Sequence, residues 1–310
     1  MIHEPSSTSA NTSESSRAYE YTVFDVFAEH ALEGNPLAVF HDARGLSDDE
    51  MQALARETRL SETTFVLPSE EDGARGSVRV RIFTTEEELP FAGHPTLGTA
   101  TWLHQHHPEL RGRNEITLDL NVGPIPVCFL ERPGAGAFAS MRQNDPAFGA
   151  TFGHEEVAEV IGLHAAKLDT RFAPQSVSTG NTFCIVLLRD LATLERLSIP
   201  QREAEAWLRE RGMRWFYVMA PTDAPLNFRC RMQFNGGEDP ATGSAAGPAI
   251  AWLVANRLVP AGAECVLDQG VEIRRPSRLY ARASQDGNRV HEIDISGRTI
   301  PVAMGRYFLP

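Results

Sequence analysis

Two short stretches of the chain carry residue types that could hold an anion and handle a proton: "EEELPFAGHPTLG" at 86–98 and "NGGEDPATGSAAG" at 235–247. Each is a Gly/Pro turn that runs into an apolar, helix-like segment. A helix start presents unpaired backbone N–H groups and a partial positive charge. Two such starts facing one cleft would hold a carboxylate without lysine or arginine. Gly93-His94 and Thr242-Gly243-Ser244 are the anion nests this predicts, the glycines permitting close backbone approach and positive φ. His94, beside a helix start, should have a lowered pKa and stay neutral at pH 7. Asp239 reads either as a plain capping acid or as a group facing the substrate. Each turn alone is an ordinary capped helix start; their repetition singles them out.

The repetition extends beyond the turns. Residues 77–103 laid over 227–253 without a gap give seven identities in 27 positions: Arg79/Arg229, Arg81/Arg231, Glu88/Glu238, Pro90/Pro240, Gly93/Gly243, Trp102/Trp252 and Leu103/Leu253. Average composition gives about two by chance. "GNP" at 34–36 and "GNT" at 180–182 recur at nearly the same offset. A duplicated α+β unit explains this, each copy bringing strand, Gly turn and helix to a shared cleft.

The elements around these turns follow from local pattern. "SVRVRIFTT" alternates as a half-buried strand, and "SDDEMQALARETRL" is a helix with Ser47 and Glu50 as its capping box. "YEYTVFDVFA", "GNPLAVF", "ETTFVLP", "WFYVMAP" and "NFRCRMQF" read as strands, and "EITLDLNVGPIPVCFLER" as a hairpin. "GHEEVAEVIGL", "QREAEAWLRERG" and "AAGPAIAWLVANRL" read as helices, and the chain from about 263 is mostly strand. The expected divisions are a Ser/Thr-rich tail over 1–18, an N-terminal half over 19–134, a C-terminal half over 138–300, and a last strand over 301–310 returning to the first half. "RPGAGAF" supplies the linker.

Composition narrows the function. With 310 residues, 42% hydrophobic and 23% charged, the chain can bury a sizeable core. A net charge of −12 argues against nucleic acid or an anionic membrane as partner, while leaving room for a small anionic substrate. The four cysteines at 128, 184, 230 and 265 stand apart, as free thiols do in a reducing compartment, and the expected location is the cytoplasm. No phosphate-binding, dinucleotide-binding or nucleophile-elbow motif occurs. "GHEEVAE" opens like a zinc-protease motif but has Ala158 where the second histidine belongs, and His104, His106 and His107 read as surface histidines. No bound metal or organic cofactor is implied. Glu62, in "RLSETTFVLP", reads on its own as a solvated glutamate, and nothing in its spacing nominates it.

Five motifs in order, "LEGNPLAVF", "RLSETTFVL", "RIFTTEEELPFAGHPTLGTA", "EDPATGSAAGP" and "QGVEIRRPS", resemble the PhzF-like family of phenazine biosynthesis, from about Tyr21 to the C-terminus. The resemblance implies the diaminopimelate epimerase-like α+β fold: two pseudo-symmetric halves, each a sheet wrapped around a central helix, with the active site between them. The two cysteines of the epimerase relatives would fall at Gly93 and Asp239, which disfavours a two-thiol racemase.

By the same resemblance Glu62 is the general acid/base, while His94 and Asp239 contact polar groups of the substrate and tune proton transfer. Gly93, Thr242, Gly243 and Ser244 then bind the substrate, with Gln143 of "SMRQND" a weaker contact. The implied reaction is the isomerisation of trans-2,3-dihydro-3-hydroxyanthranilate without a cofactor. Many members are homodimers, so a homodimer is expected. Pro240 after Asp239 matches many members of unknown substrate, whereas "GSAAGP" and "QGVEI" lean towards the phenazine type. Two alternatives remain open: an amino-acid racemase or epimerase using Glu62 with Asp239, and a ligand-binding protein without catalysis.

Overall fold

The computed structural model describes residues 17–310. The expected tail lies outside the described residues, except Arg17 and Ala18, which already belong to a strand. The first half holds β1 (Arg17–Val26), β2 (Asn35–Phe40), β3 (Glu62–Leu67), β4 (Ser77–Phe83), β5 (Glu88–Leu89), β6 (Glu115–Leu120), β7 (Gly123–Phe129) and β8 (Ala137–Gln143). Its helices are α1 (Asp48–Thr58), α2 (Asp72–Arg75) and α3 (Gly93–His106). The second half holds β9 (Ala147–Thr151), β10 (Gln175–Ser178), β11 (Thr182–Leu187), β12 (Trp215–Pro221), β13 (Asn227–Arg231), β14 (Gln233–Phe234), β15 (Gly237–Glu238), β16 (Cys265–Gln269), β17 (Ser277–Asp286) and β18 (Arg289–Leu309). Its helices are α4 (His154–Val160), α5 (Leu191–Glu195), α6 (Gln201–Glu210) and α7 (Gly243–Ala255).

The two halves share one strand plan. In the first, β1–β2 is antiparallel, β2–β3 parallel, β3–β4 antiparallel, β4–β6 parallel, and β6–β7 and β7–β8 antiparallel. In the second, β10–β11, β11–β12, β12–β13, β13–β16, β16–β17 and β17–β18 repeat that series. The long β18 joins them: Ile293–Thr299 pairs with β8, and the chain beyond continues along β1 to Leu309. A closed ring of strands therefore surrounds α3.

Burial explains why α3 and α7 are the central helices. Every residue of α3 from Gly93 to Leu103 is buried, as are Gly243 and residues 245–254 of α7. A helix apolar on all sides belongs inside a domain. The hydroxyls of α3 are satisfied locally, Thr96 donating to the Ala92 carbonyl, Thr101 to that of Leu97 and Thr99 to Thr64 Oγ1. By contrast α6 buries only Ala204, Trp207 and Leu208, so it lies on the surface. The capping box of α1 forms, Ser47 Oγ accepting from the Glu50 N–H and Glu50 Oε2 from the Ser47 N–H.

The sequence repeat has a physical basis. Arg81 grips Glu88 with two bonds of 2.8 and 2.6 Å, and Arg231 grips Glu238 with two of 2.9 and 2.6 Å. Each pair pins the turn leading to a central helix. The second pair is the more buried, with side chains 8% and 6% exposed against 16% and 25%. Breaking a buried pair strands a charge. Glu238→Ala is therefore expected to cost about 3–5 kcal/mol in urea unfolding, and Glu88→Ala less than half of that.

Candidate active site

The two central helices meet at their N-terminal glycines. A Cβ on Gly93 would lie 2.9 Å from the Gly243 carbonyl carbon, and one on Gly243 would lie 3.3 Å from the Gly93 Cα. Both glycines occupy the first helical position without positive φ, so it is close packing that disfavours a side chain, severely at Gly93 and more mildly at Gly243. The first-turn N–H groups of Gly93, His94, Gly243 and Ser244 have no carbonyl one turn back to receive them. Pro95 has no N–H to offer. Two positive helix ends converge where neither carries a basic side chain.

Glu62 and His94 stand beside this junction. Leu37 of β2 is paired with Glu62, and Glu62 and Thr64 share the face of β3 that packs on α3. Strand alternation thus turns Glu62 inward, where its side chain is 17% exposed. Its Oε2 lies 3.4 Å from His94 Nε2, and neither atom has a hydrogen-bond partner. Burial, assisted by the nearby charge of Asp239, pushes the Glu62 carboxyl up to about 8. Burial also lowers the His94 imidazole to about 3, so the ring is neutral at pH 7. The direction is that expected for a helix start; desolvation drives it.

Asp239 is held differently. Its Oδ2 accepts from Thr242 Oγ1 at 2.7 Å and its Oδ1 from Asn35 Nδ2 at 2.8 Å. Burial raises this carboxyl to about 6, and the two hydrogen bonds oppose the rise. Gln269 secures the loop: its Nε2 donates to the Asp239 carbonyl and to Thr242 Oγ1, while its Oε1 accepts from the Thr242 N–H and Tyr217 Oη. Thr242 therefore has its hydroxyl and N–H already paired and positions Asp239. Gln143 is similarly engaged, donating to the Gly243 carbonyl at 2.8 Å and accepting from Thr179 Oγ1 at 2.7 Å. It anchors the start of α7. Ser244, partly exposed, sits in the first turn of that helix.

A family model described as phenazine biosynthesis-like protein, PhzC-PhzF, matches residues 24–305. The chain belongs to the phenazine biosynthesis-like family. Trans-2,3-dihydro-3-hydroxyanthranilate isomerase of Pseudomonas aeruginosa is 37% identical over 294 residues, covering 94% of this chain and 100% of that relative. The solved structure of a predicted epimerase from the same organism superposes with TM-score 0.80 at 37% identity, covering 93% of this chain and 99% of that one. The PhzF-family phenazine biosynthesis protein of Bacillus anthracis superposes with TM-score 0.83 at 27% identity, covering 94% and 100%. The chain is an isomerase of this family with its two-halved α+β fold.

Some residues of the site escape sequence reasoning. Asn35 appears there only as part of the repeated "GNP", and Gln269 and Arg275 only as letters of "QGVEIRRPS". Arg275 ties the halves together, donating to Asp25 Oδ1 and to the carbonyls of Glu33 and Gly34. The three histidines at the end of α3 take separate partners: the Arg113 carbonyl for His104, the Trp102 carbonyl for His106, and Asp72 for His107, which is buried and so is not the surface histidine expected. No described helix is long and apolar enough to cross a membrane.

Proposed function

We propose that the protein is a cofactor-independent isomerase moving a proton from C3 to C1 of trans-2,3-dihydro-3-hydroxyanthranilate or a related small carboxylate. The observation that carries this reading is the facing of Glu62 Oε2 and His94 Nε2, two buried atoms without hydrogen-bond partners, beside two converging helix ends. The substrate carboxylate binds the N–H groups of Gly93, His94, Gly243 and Ser244, which fixes the ring. Ionised Glu62 takes the C3 proton, and the electron pair moves through the conjugated system. Protonated Glu62 then delivers the proton to C1 on the same face, leaving an enol that becomes an amino-ketone. Removal and return balance, so one carboxylate suffices and no redox partner is needed. Neutral His94 exchanges a hydrogen bond with Glu62 or the substrate. Asp239, with both oxygens occupied by donors, is the poorer base and faces the substrate's polar groups. This also favours one-base isomerisation over a two-base racemase.

Purified protein is expected to deplete the ultraviolet absorption of trans-2,3-dihydro-3-hydroxyanthranilate; unchanged absorption at high enzyme concentration overturns the reading. The pH profile is a second check. Glu62 must be ionised to act, and its carboxyl is raised to about 8. kcat/KM is therefore expected to fall about tenfold per pH unit below that value and to level above it. Asp239→Asn should move the limb only slightly lower, because burial outweighs the charge of Asp239.

The same reading takes the enzyme to be a cytoplasmic homodimer that binds no nucleic acid, which the net charge of −12 supports. Met304 and Phe308, 82% and 66% exposed on β18, offer apolar surface for self-association. Sedimentation at twice 34.2 kDa is expected, and a monomer at micromolar concentration would remove this part.

A further inference from the structure

A third buried polar atom beside the site lacks a partner: Asn35 Oδ1. Asn35 is fully buried, and its amide orientation is fixed by its neighbours. The side-chain nitrogen faces two acceptors, Asp239 Oδ1 at 2.8 Å and the Ala241 carbonyl at 3.0 Å, so the NH2 group must lie on that side. The carbonyl oxygen is turned from them. Asn35 and Leu37 are two apart on β2, and Leu37 pairs with Glu62, so Asn35 and Glu62 share the inner face of adjacent strands. The residue thus reaches from the first half to the loop carrying Asp239 in the second, and it leaves a buried acceptor without a partner on the strand beside Glu62.

A buried acceptor without a donor is costly, and a ligand N–H would relieve that cost. The other unpartnered atoms of the cluster do not duplicate this role. Glu62, its carboxyl held high, presents an O–H below about pH 8, and neutral His94 can offer either a donor or an acceptor. Asn35 Oδ1 is an obligate acceptor. Resting on the isomerase reading above, the geometry points to Asn35 as a specificity-determining residue: its Oδ1 accepts an N–H from an amino group carried next to the substrate's carboxylate-bearing carbon, while its Nδ2 holds Asp239 in place. The site would thereby select aminocarboxylates over otherwise identical carboxylates.

A cycle between residue and ligand group tests this. The probes are 3-hydroxyanthranilate and 3-hydroxybenzoate, aromatic analogues that differ by one amino group, titrated calorimetrically into the full-length protein. The wild type is expected to bind the amino ligand about ten- to a hundredfold more tightly, the range set by leaving a buried acceptor unpaired. In Asn35→Ala the ratio should collapse to about twofold. A merely structural role would weaken both ligands alike and leave the ratio intact, so an unchanged ratio overturns the inference, as does a wild-type ratio near one. If Asn35→Ala does not fold, Asn35→Ser carries the same comparison. Turnover of trans-2,3-dihydro-3-hydroxyanthranilate is followed in the same preparation. No turnover with the ratio pattern intact overturns the proposed reaction and supports the role of Asn35; turnover with a flat ratio overturns the role of Asn35 alone.

Discussion

Glu62→Gln is expected to lower kcat about a thousandfold or more while ligand affinity stays within about tenfold, because a positioned acid/base contributes roughly that factor. Glutamine keeps the shape of the side chain and can still meet His94, so binding survives. It cannot take the C3 proton. Stopped-flow turnover and calorimetric binding of a non-reacting analogue measure the two effects separately, and near-wild-type turnover would sink the assignment.

The same variant should also report on stability. The Glu62 carboxyl is raised in the folded state, from 4.5 to about 8. The folded protein therefore binds this proton more tightly than the unfolded chain. The associated stability is fully present below about pH 4.5 and is lost as pH rises through 8, at up to about 1.4 kcal/mol per unit. Glutamine has no proton to lose. Glu62→Gln should thus gain thermal stability over the wild type as pH rises to 9.

Gly93→Ala is the second large effect. The new Cβ would meet the Gly243 carbonyl carbon at 2.9 Å, its Cα at 3.0 Å and Met141 Cε at 3.0 Å. Two of these are backbone atoms of the opposite helix and cannot rotate away. The helix ends must separate, at a cost of about 1–3 kcal/mol. The paired N–H groups then lose their common focus. A misplacement near 1 Å is enough for about a hundredfold fall in kcat/KM. Steady-state kinetics with thermal unfolding would check both. Unchanged kcat/KM in a folded Gly93→Ala would show that the paired helix ends do not hold the substrate. Gly112→Ala, where a Cβ meets nothing within 4 Å but φ is +74°, supplies a contrast in which backbone strain acts far from the site.

Much of the fold was readable from local pattern. The capping box of α1, the alternation of β4 and the all-round apolarity of α3 and α7 each depend on residues a few positions apart, where side-chain period reports the environment directly. The repeat is readable too: the Arg and Glu common to both copies form the two turn clamps, and its glycines are where the helices touch. That repeat is enough to nominate Gly93, His94, Thr242, Gly243 and Ser244 without any resemblance, while Asp239, opposite Leu89 in the repeat, stays open as a capping acid.

Glu62 and Asn35 were different. β3 is buried on both faces: Thr64 and Val66 pack towards α3, while Thr63 and Phe65 pack towards α1. Alternation says that neighbours face opposite ways, but not that both ways are interior, so Glu62 reads as a solvated acid in any stretch of sequence that leaves out α3. Asn35 meets Asp239 across 204 residues of chain, a contact no window of sequence contains. The elements, the duplication and the two helix starts follow from short-range periodicity and chain sterics, so local residues suffice to set them. Which acid keeps a buried oxygen without a partner and which is held by donors depends on how the two halves pack, because burial and hydrogen bonding are long-range.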